Sequence, residues 1–370
     1  MSDLILDGHK LAWHRERVEA WLAGERVAPI TVDCALGTRC QLFCNFCYAS
    51  MQTRKQVNLP RDAIMRFLDD AAEIGVKAIS LVSDGESTLN PHLYEALLRG
   101  KANGLDMALA TNGIMLRDDR LEEALPTLTY LRFTICAADP KGYAEIHGGP
   151  ERYFHKVLGT IRRCVEIKQQ QGLPVTLGLQ MVLMPHYASQ VLPLAKLGRE
   201  LGVDYLVIKH CSDDEMETLR QRYNFQYSQY QALVPLLKEA EALSGDGYLV
   251  AAKWNKILSE GKRRYTRCYG PPLLAQFSGS GLVSPCGMLF PPRFRDFHIG
   301  NLVETSFKEL WKGERYWQVM RRLATEVNPQ TFCGTMCVQH LANDWLWSLK
   351  QGEVSLDAPP QPVPQHVNFV

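Results

Sequence analysis

Three cysteines fall within eight residues, Cys40-Gln-Leu-Phe-Cys44-Asn-Phe-Cys47-Tyr48, at the spacing C-x3-C-x2-C. A 4Fe-4S cluster is normally held by four thiolates, so a compact set of three points to a cluster with one iron left open to a substrate or cofactor. The rival readings are a zinc site and a disulfide. Zinc takes four protein ligands, or three with histidine among them, and this loop supplies neither. Four more cysteines come late: Cys268, then Cys286 behind Gly281 and four further residues, then the pair Cys333 and Cys337. Four thiolates close a cluster and suit it to carrying electrons, with a structural zinc as the alternative. A free cysteine is most often a small buried hydrophobe, and Cys34 and Cys164 read as core.

Composition bounds the setting of this chemistry. The 370 residues carry 41 Lys and Arg against 40 Asp and Glu, with 46% hydrophobic and 22% charged side chains, the make-up of a soluble globular chain. So balanced a charge gives no long-range positive field, which disfavours nucleic acid as the main partner and fits a small-molecule substrate better. The first twenty residues include His9, Lys10, His14, Arg15, Glu16 and Arg17 and lack the apolar core of a signal peptide. No apolar run approaches a membrane span. Eleven cysteines, an odd number with seven in cluster-like groups, point to a reducing cytoplasm.

The elements that must position these groups are legible as patterns. Residues 1–29 contain Leu11, Trp13, Val18, Trp21 and Leu22 at helical spacing, a helix suited to capping the bottom of a barrel. Apolar runs at 30–36, 77–83, 106–111, 129–136, 175–184 and 203–211 alternate with helix-like segments near 60–74, 91–103, 118–125, 152–171 and 188–201. Such alternation makes parallel βαβ units over 30–214, with functional groups at the C-terminal ends of the strands. Residues 215–267, with a helix around 227–244 and a strand-like 248–252, bridge to a cysteine-bearing module over 268–345. The tail, 346–370, is expected to run extended from Asp357 because of Pro359, Pro360, Pro362 and Pro364. Period-two alternation puts Arg132, Thr134 and Cys136 on one face of the fourth strand. It also turns Gln180 on the fifth, and Lys209 and Cys211 on the sixth, toward the barrel interior, with Asp213, Asp214 and Glu215 at the rim.

The cysteine triplet, with Phe46 before its last member, resembles the signature of the radical S-adenosylmethionine (radical SAM) superfamily, over about residues 30–345. The resemblance implies an α/β fold, a partial (β/α)6 TIM-like barrel with a small C-terminal twitch/SPASM-like cluster-binding domain. Ile299-Gly-Asn-Leu302 and Ser306-Phe-Lys-Glu-Leu-Trp311 match that domain, while the extra cysteines of a full SPASM pattern are missing. Implied cofactors are a 4Fe-4S cluster on Cys40, Cys44 and Cys47, an auxiliary 4Fe-4S cluster on Cys268, Cys286, Cys333 and Cys337, and SAM. In the family, reductive cleavage of SAM yields a 5'-deoxyadenosyl radical that takes a hydrogen atom from the substrate.

Ser83-Asp84-Gly85-Glu86-Ser87-Thr88 stands where the family has Gly-Gly-Glu-Pro. This assigns Asp84, Gly85 and Glu86 to the methionine amino group, with departures at Asp84 and Ser87. Thr111-Asn112-Gly113 looks like the family's T-N-G and sets Asn112 near the adenosyl group or simply in a turn; Thr134 matches a residue at the ribose. Phe46, Tyr48 and Gln180 complete the expected cofactor-binding set. Tyr143-Ala-Glu-Ile-His-Gly-Gly resembles a linking segment of relatives that carry an auxiliary domain.

Twitch and SPASM enzymes act on ribosomal peptides or on small carbohydrates. About thirty residues before Thr31 are too few for the leader-binding domain that peptide-modifying relatives often carry. The expectation is therefore a sugar-like substrate (aminosugar, aminocyclitol or nucleoside sugar), held by Lys209, Asp213, Asp214 and Glu215. Peptide modification (RiPP maturation) and a non-catalytic iron-sulfur electron carrier are the alternatives. If the auxiliary cluster accepts the leftover electron the outcome is oxidation; if Cys211 or Cys136 returns a hydrogen atom it is epimerisation. An electron donor such as flavodoxin or ferredoxin is the implied protein partner.

Overall fold

Every apolar run of the alternating region forms a strand in the computed structural model, which describes residues 4–49, 56–335, 337–357 and 362–370. Strands β1 (Thr31–Cys34), β2 (Ala78–Leu81), β3 (Asp106–Thr111), β4 (Leu128–Thr134), β5 (Thr176–Leu183) and β6 (Tyr205–His210) pair in that order, all parallel. The helices are α1 (Arg15–Leu22), α2 (Arg61–Ile74), α3 (Leu93–Ala102), α4 (Leu121–Ala124), α5 (Pro140–His147), α6 (Arg152–Gln171) and α7 (Val191–Leu201). Parallel strands covered on both faces read as continuous apolar runs, and β5 is buried along its whole length. In α2, Ala63, Ile64, Phe67, Leu68 and Ala71 return every three or four residues to one buried face. Gly75, at φ 93°, ends that helix in the left-handed conformation.

Two further parallel strands enlarge the six that were expected. β7 (Leu249–Ala252), in the segment read as a bridge, pairs with β6, and β8 (Leu274–Phe277), in the cysteine-bearing module, pairs with β1. β9 (Leu282–Ser284) and β10 (Gly300–Asn301) continue antiparallel. One ten-stranded sheet results, in the order β10-β9-β8-β1-β2-β3-β4-β5-β6-β7. The auxiliary module is therefore hydrogen-bonded into the barrel sheet.

The tail departs from expectation. α8 (His340–Gln351) occupies its first part, and Pro359 and Pro360 lie outside the described residues. The last residues fold back under the barrel instead of running free. Lys10 Nζ donates to the Phe369 carbonyl at 2.6 Å, Thr31 Oγ1 donates to the Asn368 carbonyl at 2.6 Å, and Asn368 Nδ2 donates to Asp106 at 2.7 Å. Proline content describes local stiffness; it carries no information about the polar groups at the strand N-termini that this segment satisfies. No helix among the described residues is long and apolar enough to cross a membrane.

Candidate active site

The loop carrying Cys40, Cys44 and Cys47 follows β1 and is pinned to the end of α5. Phe43 and Asn45 donate their backbone N–H groups to the carbonyls of His147 (3.1 Å) and Ile146 (2.9 Å). That helix end is set by local sequence: Asp139 Oδ1 accepts from the Gly142 N–H at 2.8 Å, Pro140 occupies the first turn, and Gly148 closes at φ 63°. A Cβ on Gly148 would lie 2.6 Å from the Phe43 carbonyl oxygen.

The three cysteines border a cavity of about 170 Å3, lined also by Phe46, Tyr48, Gly85, Glu86, Asn112, Thr134, Gln180 and Lys209. Glu86 ties its walls together. Its carboxylate accepts from the Thr111 hydroxyl at 2.7 Å, the Asn112 N–H at 2.8 Å, and the N–H (3.1 Å) and hydroxyl (2.7 Å) of Thr88. Three of these bonds fall on Oε1; Oε2 receives the Asn112 N–H and has capacity to accept a ligand ammonium. Gln180 Nε2 donates to Thr134 Oγ1 at 3.4 Å, and Asn112 Oδ1 accepts from Gln41 at 3.0 Å.

Asp84, expected at the cofactor, is turned elsewhere. It accepts from the Ser278 hydroxyl at 2.5 Å and the Gly279 N–H at 2.7 Å, tying the loop after β2 to the turn between β8 and β9. Gly85 is required here for closeness rather than for a positive φ. A Cβ there would sit 2.0 Å from the Gly37 carbonyl oxygen, and a Cβ on Gly279 would sit 2.2 Å from the same oxygen. Three backbones thus meet at one carbonyl, joining the cysteine loop, the Glu86 loop and the auxiliary hairpin.

The other corrections concern Cys136, Cys211 and the acidic rim. Cys136 is fully buried, and its sulfur accepts the Val182 N–H at 3.3 Å. Cys211 is fully buried with its sulfur on the carbonyls of Phe46 (3.8 Å) and Ser212 (3.5 Å). Neither lines the cavity, because strict alternation ends where β4 and β6 end. The Asp213 carboxylate accepts the backbone N–H groups of Asp214, Leu219 and Arg220 at 2.7–2.9 Å. Asp214 accepts from the Thr218 N–H and hydroxyl, both at 2.9 Å, and Glu215 pairs with Arg293 at 2.6 Å. These acids build the rim, with Glu215 Oε2 buried there without a partner; of the four expected substrate ligands, Lys209 alone faces the cavity.

His147 is the residue that sequence reading passed over, although it stands in the quoted linking segment. It is fully buried, stacks on Tyr143 with centroids 4.4 Å apart and meets Phe46 edge-on at 5.4 Å. Burial pushes its pKa down to about 3, so the ring is neutral. Nε2 accepts the Cys136 N–H at 3.0 Å, which leaves the proton on Nδ1, 3.4 Å from Cys44 Sγ. An N–H aimed at a cluster thiolate stabilises the reduced state. His147→Leu is expected to lower the reduction potential of the triplet-bound cluster by on the order of tens of millivolts, read by EPR-monitored redox titration; an unshifted potential rejects this role.

The later cysteines gather in the auxiliary module. Burial first, and then Cys333, Cys337 and Cys286, raise the Cys268 pKa well above that of a free thiol. Arg263 donates to the carbonyls of Pro329 (3.2 Å), Cys333 (3.4 Å) and Gly334, and Thr335 Oγ1 accepts the Asp213 N–H at 2.8 Å, docking this loop on the barrel rim. Among the described residues no three Cys, His, Asp or Glu side chains converge tightly enough to grip one ion. Four thiols gathered in one module are the ligand set that a closed 4Fe-4S cluster takes.

Comparison with known proteins accords with this geometry. The family described as Radical SAM superfamily matches residues 35–197, and the iron-sulfur cluster-binding domain SPASM matches 268–337. The chain is 22% identical to a tungsten-containing aldehyde ferredoxin oxidoreductase cofactor-modifying protein of Pyrococcus furiosus, over 75% of this chain and 80% of that protein. It is 24% identical to an AdoMet-dependent heme synthase of Methanosarcina barkeri, over 80% and 85%. It is 26% identical to the PqqA peptide cyclase of Gluconobacter oxydans, over 58% and 55%. Among solved structures, Streptococcus suis SuiB bound to its precursor peptide SuiA superposes with a TM-score of 0.64 at 15% identity, over 87% of this chain and 73% of that one. The chain belongs to the radical SAM superfamily, as an enzyme with a SPASM/twitch auxiliary domain whose cofactors are SAM and two 4Fe-4S clusters.

Proposed function

We propose that this radical SAM enzyme oxidises a peptide rather than a free sugar. One observation carries the reading. Among the described residues, the two most exposed large apolar side chains are Phe43, 79% accessible on the cysteine loop, and Met216, 61% accessible just beyond β6. Both lie at the mouth of the barrel, where the Tyr223 hydroxyl donates to Asn45 at 3.1 Å and joins the two segments. Exposed apolar groups beside a cavity suit a macromolecular ligand better than a sugar. A groove of about 570 Å3 leads along Asp214, Tyr227 and Arg263 to Cys333, with room for an extended chain. The likeness to a peptide cyclase supports the same choice. The sugar reading loses two of its acidic ligands, since the Asp213 and Asp214 carboxylates are occupied by the backbone and by Thr218.

When bound, SAM and its cluster supply the 5'-deoxyadenosyl radical that takes a hydrogen atom, and the auxiliary cluster supplies an outlet for the electron left over. The chain's own residues orient and enclose. Glu86 and Asn112 hold the loops at the cavity wall, and Phe46, Val82 and Val182 line it with apolar surface that excludes water. With Cys136 and Cys211 turned away, the cysteines that line the cavity are the three assigned to the cluster, which leaves no separate thiol there to return a hydrogen atom and supports oxidation over epimerisation.

Peptides encoded beside the gene, incubated anaerobically with reconstituted enzyme, SAM and reductant, are expected to emerge two hydrogens lighter. Phe43→Ser and Met216→Ser are expected to raise the peptide KM by ~10-fold or more. Unchanged peptide masses together with turnover of a free aminosugar, measured by mass spectrometry, overturn the proposal.

A further inference from the structure

Beneath the cavity at the mouth, the barrel lumen holds a second space of about 210 Å3, and Val82, Gln180 and Lys209 line both. Arg132 from β4, Lys209 from β6, and Lys253 and Lys256 just beyond β7 face this lower space, with Asp33 from β1 as the acid among them. Two more charged groups at its floor are already engaged. Lys10 donates to the Phe369 carbonyl at 2.6 Å, and Asp7 accepts from Asn255 at 3.1 Å. Asp33 attracts Arg132 and Lys209, but its burial raises its own pKa to about 7 and so weakens it as a counter-charge; Tyr205 bonds the Arg132 guanidinium, whose Nε is buried without a hydrogen-bond partner.

Four basic groups around one interior space cannot all hold their protons cheaply, since burial removes water and raises the repulsion among the charged forms. Burial, then Lys256 and Arg132, push Lys253 down to about 7, and burial with the same neighbours and Lys253 lowers Lys209 well below the usual lysine range. Buried charges in folded proteins are normally paired or hydrogen-bonded. An arrangement of this kind is suited to a guest that brings the missing negative charge, and the fork of Arg132 beside lysine point charges fits the oxygens of a carboxylate or phosphate.

We propose that the barrel lumen holds an anionic group of the substrate, a carboxylate or a phosphate, reaching down from the upper cavity to Arg132, Lys209 and Lys253. Joined to the peptide reading, on which the choice between these sources rests, the substrate is an acidic peptide that inserts an Asp or Glu side chain.

The anion site is tested without any substrate. Cluster-loaded protein is titrated with inorganic phosphate and with malonate at constant ionic strength, by calorimetry and thermal unfolding. Both anions are expected to bind and to raise the Tm. Lys253→Met is expected to weaken binding by ~10-fold or more and to raise the Tm of the anion-free protein, because a buried unpaired charge has been removed; Arg132→Met serves as the independent second variant. Absence of binding, or binding undiminished in both variants, overturns the site. A modified peptide whose acidic residues are changed to amides separates the sources: lost turnover supports the inserted carboxylate, and unchanged turnover overturns it. Anion binding through Lys253 with no peptide turned over refutes the peptide reading and leaves the lumen site standing.

Discussion

Cys44→Ala, reconstituted anaerobically, is expected to yield 5'-deoxyadenosine only at the enzyme-free background, a loss of at least ~10³-fold, while the auxiliary cluster still loads and the iron content falls by half. The triplet has no spare ligand. His147, 3.4 Å from the Cys44 sulfur, cannot take its place, because Nε2 is committed to the Cys136 N–H and Nδ1 carries the proton. Two thiolates are too few to keep a cluster that must also leave one iron open. Iron analysis and chromatography of the SAM products check both halves of the statement. SAM cleavage surviving in this variant refutes the assignment of the triplet.

Gly85→Ala is expected to be the most damaging single-methyl change in the molecule, costing ~3 kcal/mol or more. The new Cβ would lie 2.0 Å from the Gly37 oxygen and 2.8 Å from both the Gly37 carbonyl carbon and Thr38 Cα. All three are backbone atoms, so no rotamer change relieves the overlap. The loop must move, and Glu86 moves with it, so SAM affinity should fall ~10-fold or more along with stability. The control is Gly159→Ala on the exposed face of α6, where a Cβ meets nothing within 4 Å. That change should stabilise by ~0.5–1 kcal/mol through helix propensity alone. Denaturant unfolding and SAM binding measured on both proteins test the contrast; equal stability of the two variants rejects the packing argument.

Much of the barrel was legible because its signals are local. Alternation located all six central strands to within a few residues, and type and spacing drew attention to two groups of cysteines and a Glu86 loop, of which the structure sets the first three cysteines and Glu86 around one cavity. What escaped depends on distance along the chain. Leu274–Phe277 is a short apolar run whose partner, β1, lies some 240 residues earlier, and nothing in the run names that partner. Cys211 was misplaced because alternation was carried one residue past His210, where β6 ends. Asp213 and Asp214 carried a readable signal, acids placed just ahead of the short helix Thr218–Arg222, which is where carboxylates cap orphan N–H groups. Gly85 matters for a reason other than the expected one: a permissive turn was expected, and a close backbone approach is found. Lumen cations such as Lys253 and Lys256 arise from an eighth of the barrel that sequence reading treated as a bridge.

The pairing of β8 with β1 also answers a hazard that any open barrel faces. A sheet that fails to close exposes a strand whose N–H and C=O groups are unpaired, and such an edge recruits other chains. Here the hairpin β8–β9 and short β10 cover that side, and the outermost piece spans just Gly300–Asn301, too brief to template a neighbour. A protein cut before Cys268 would bare β1 along Thr31–Cys34, a strand that otherwise has a neighbour on both sides and is largely buried. The module that holds the second cluster is therefore also the barrel's guard against self-association.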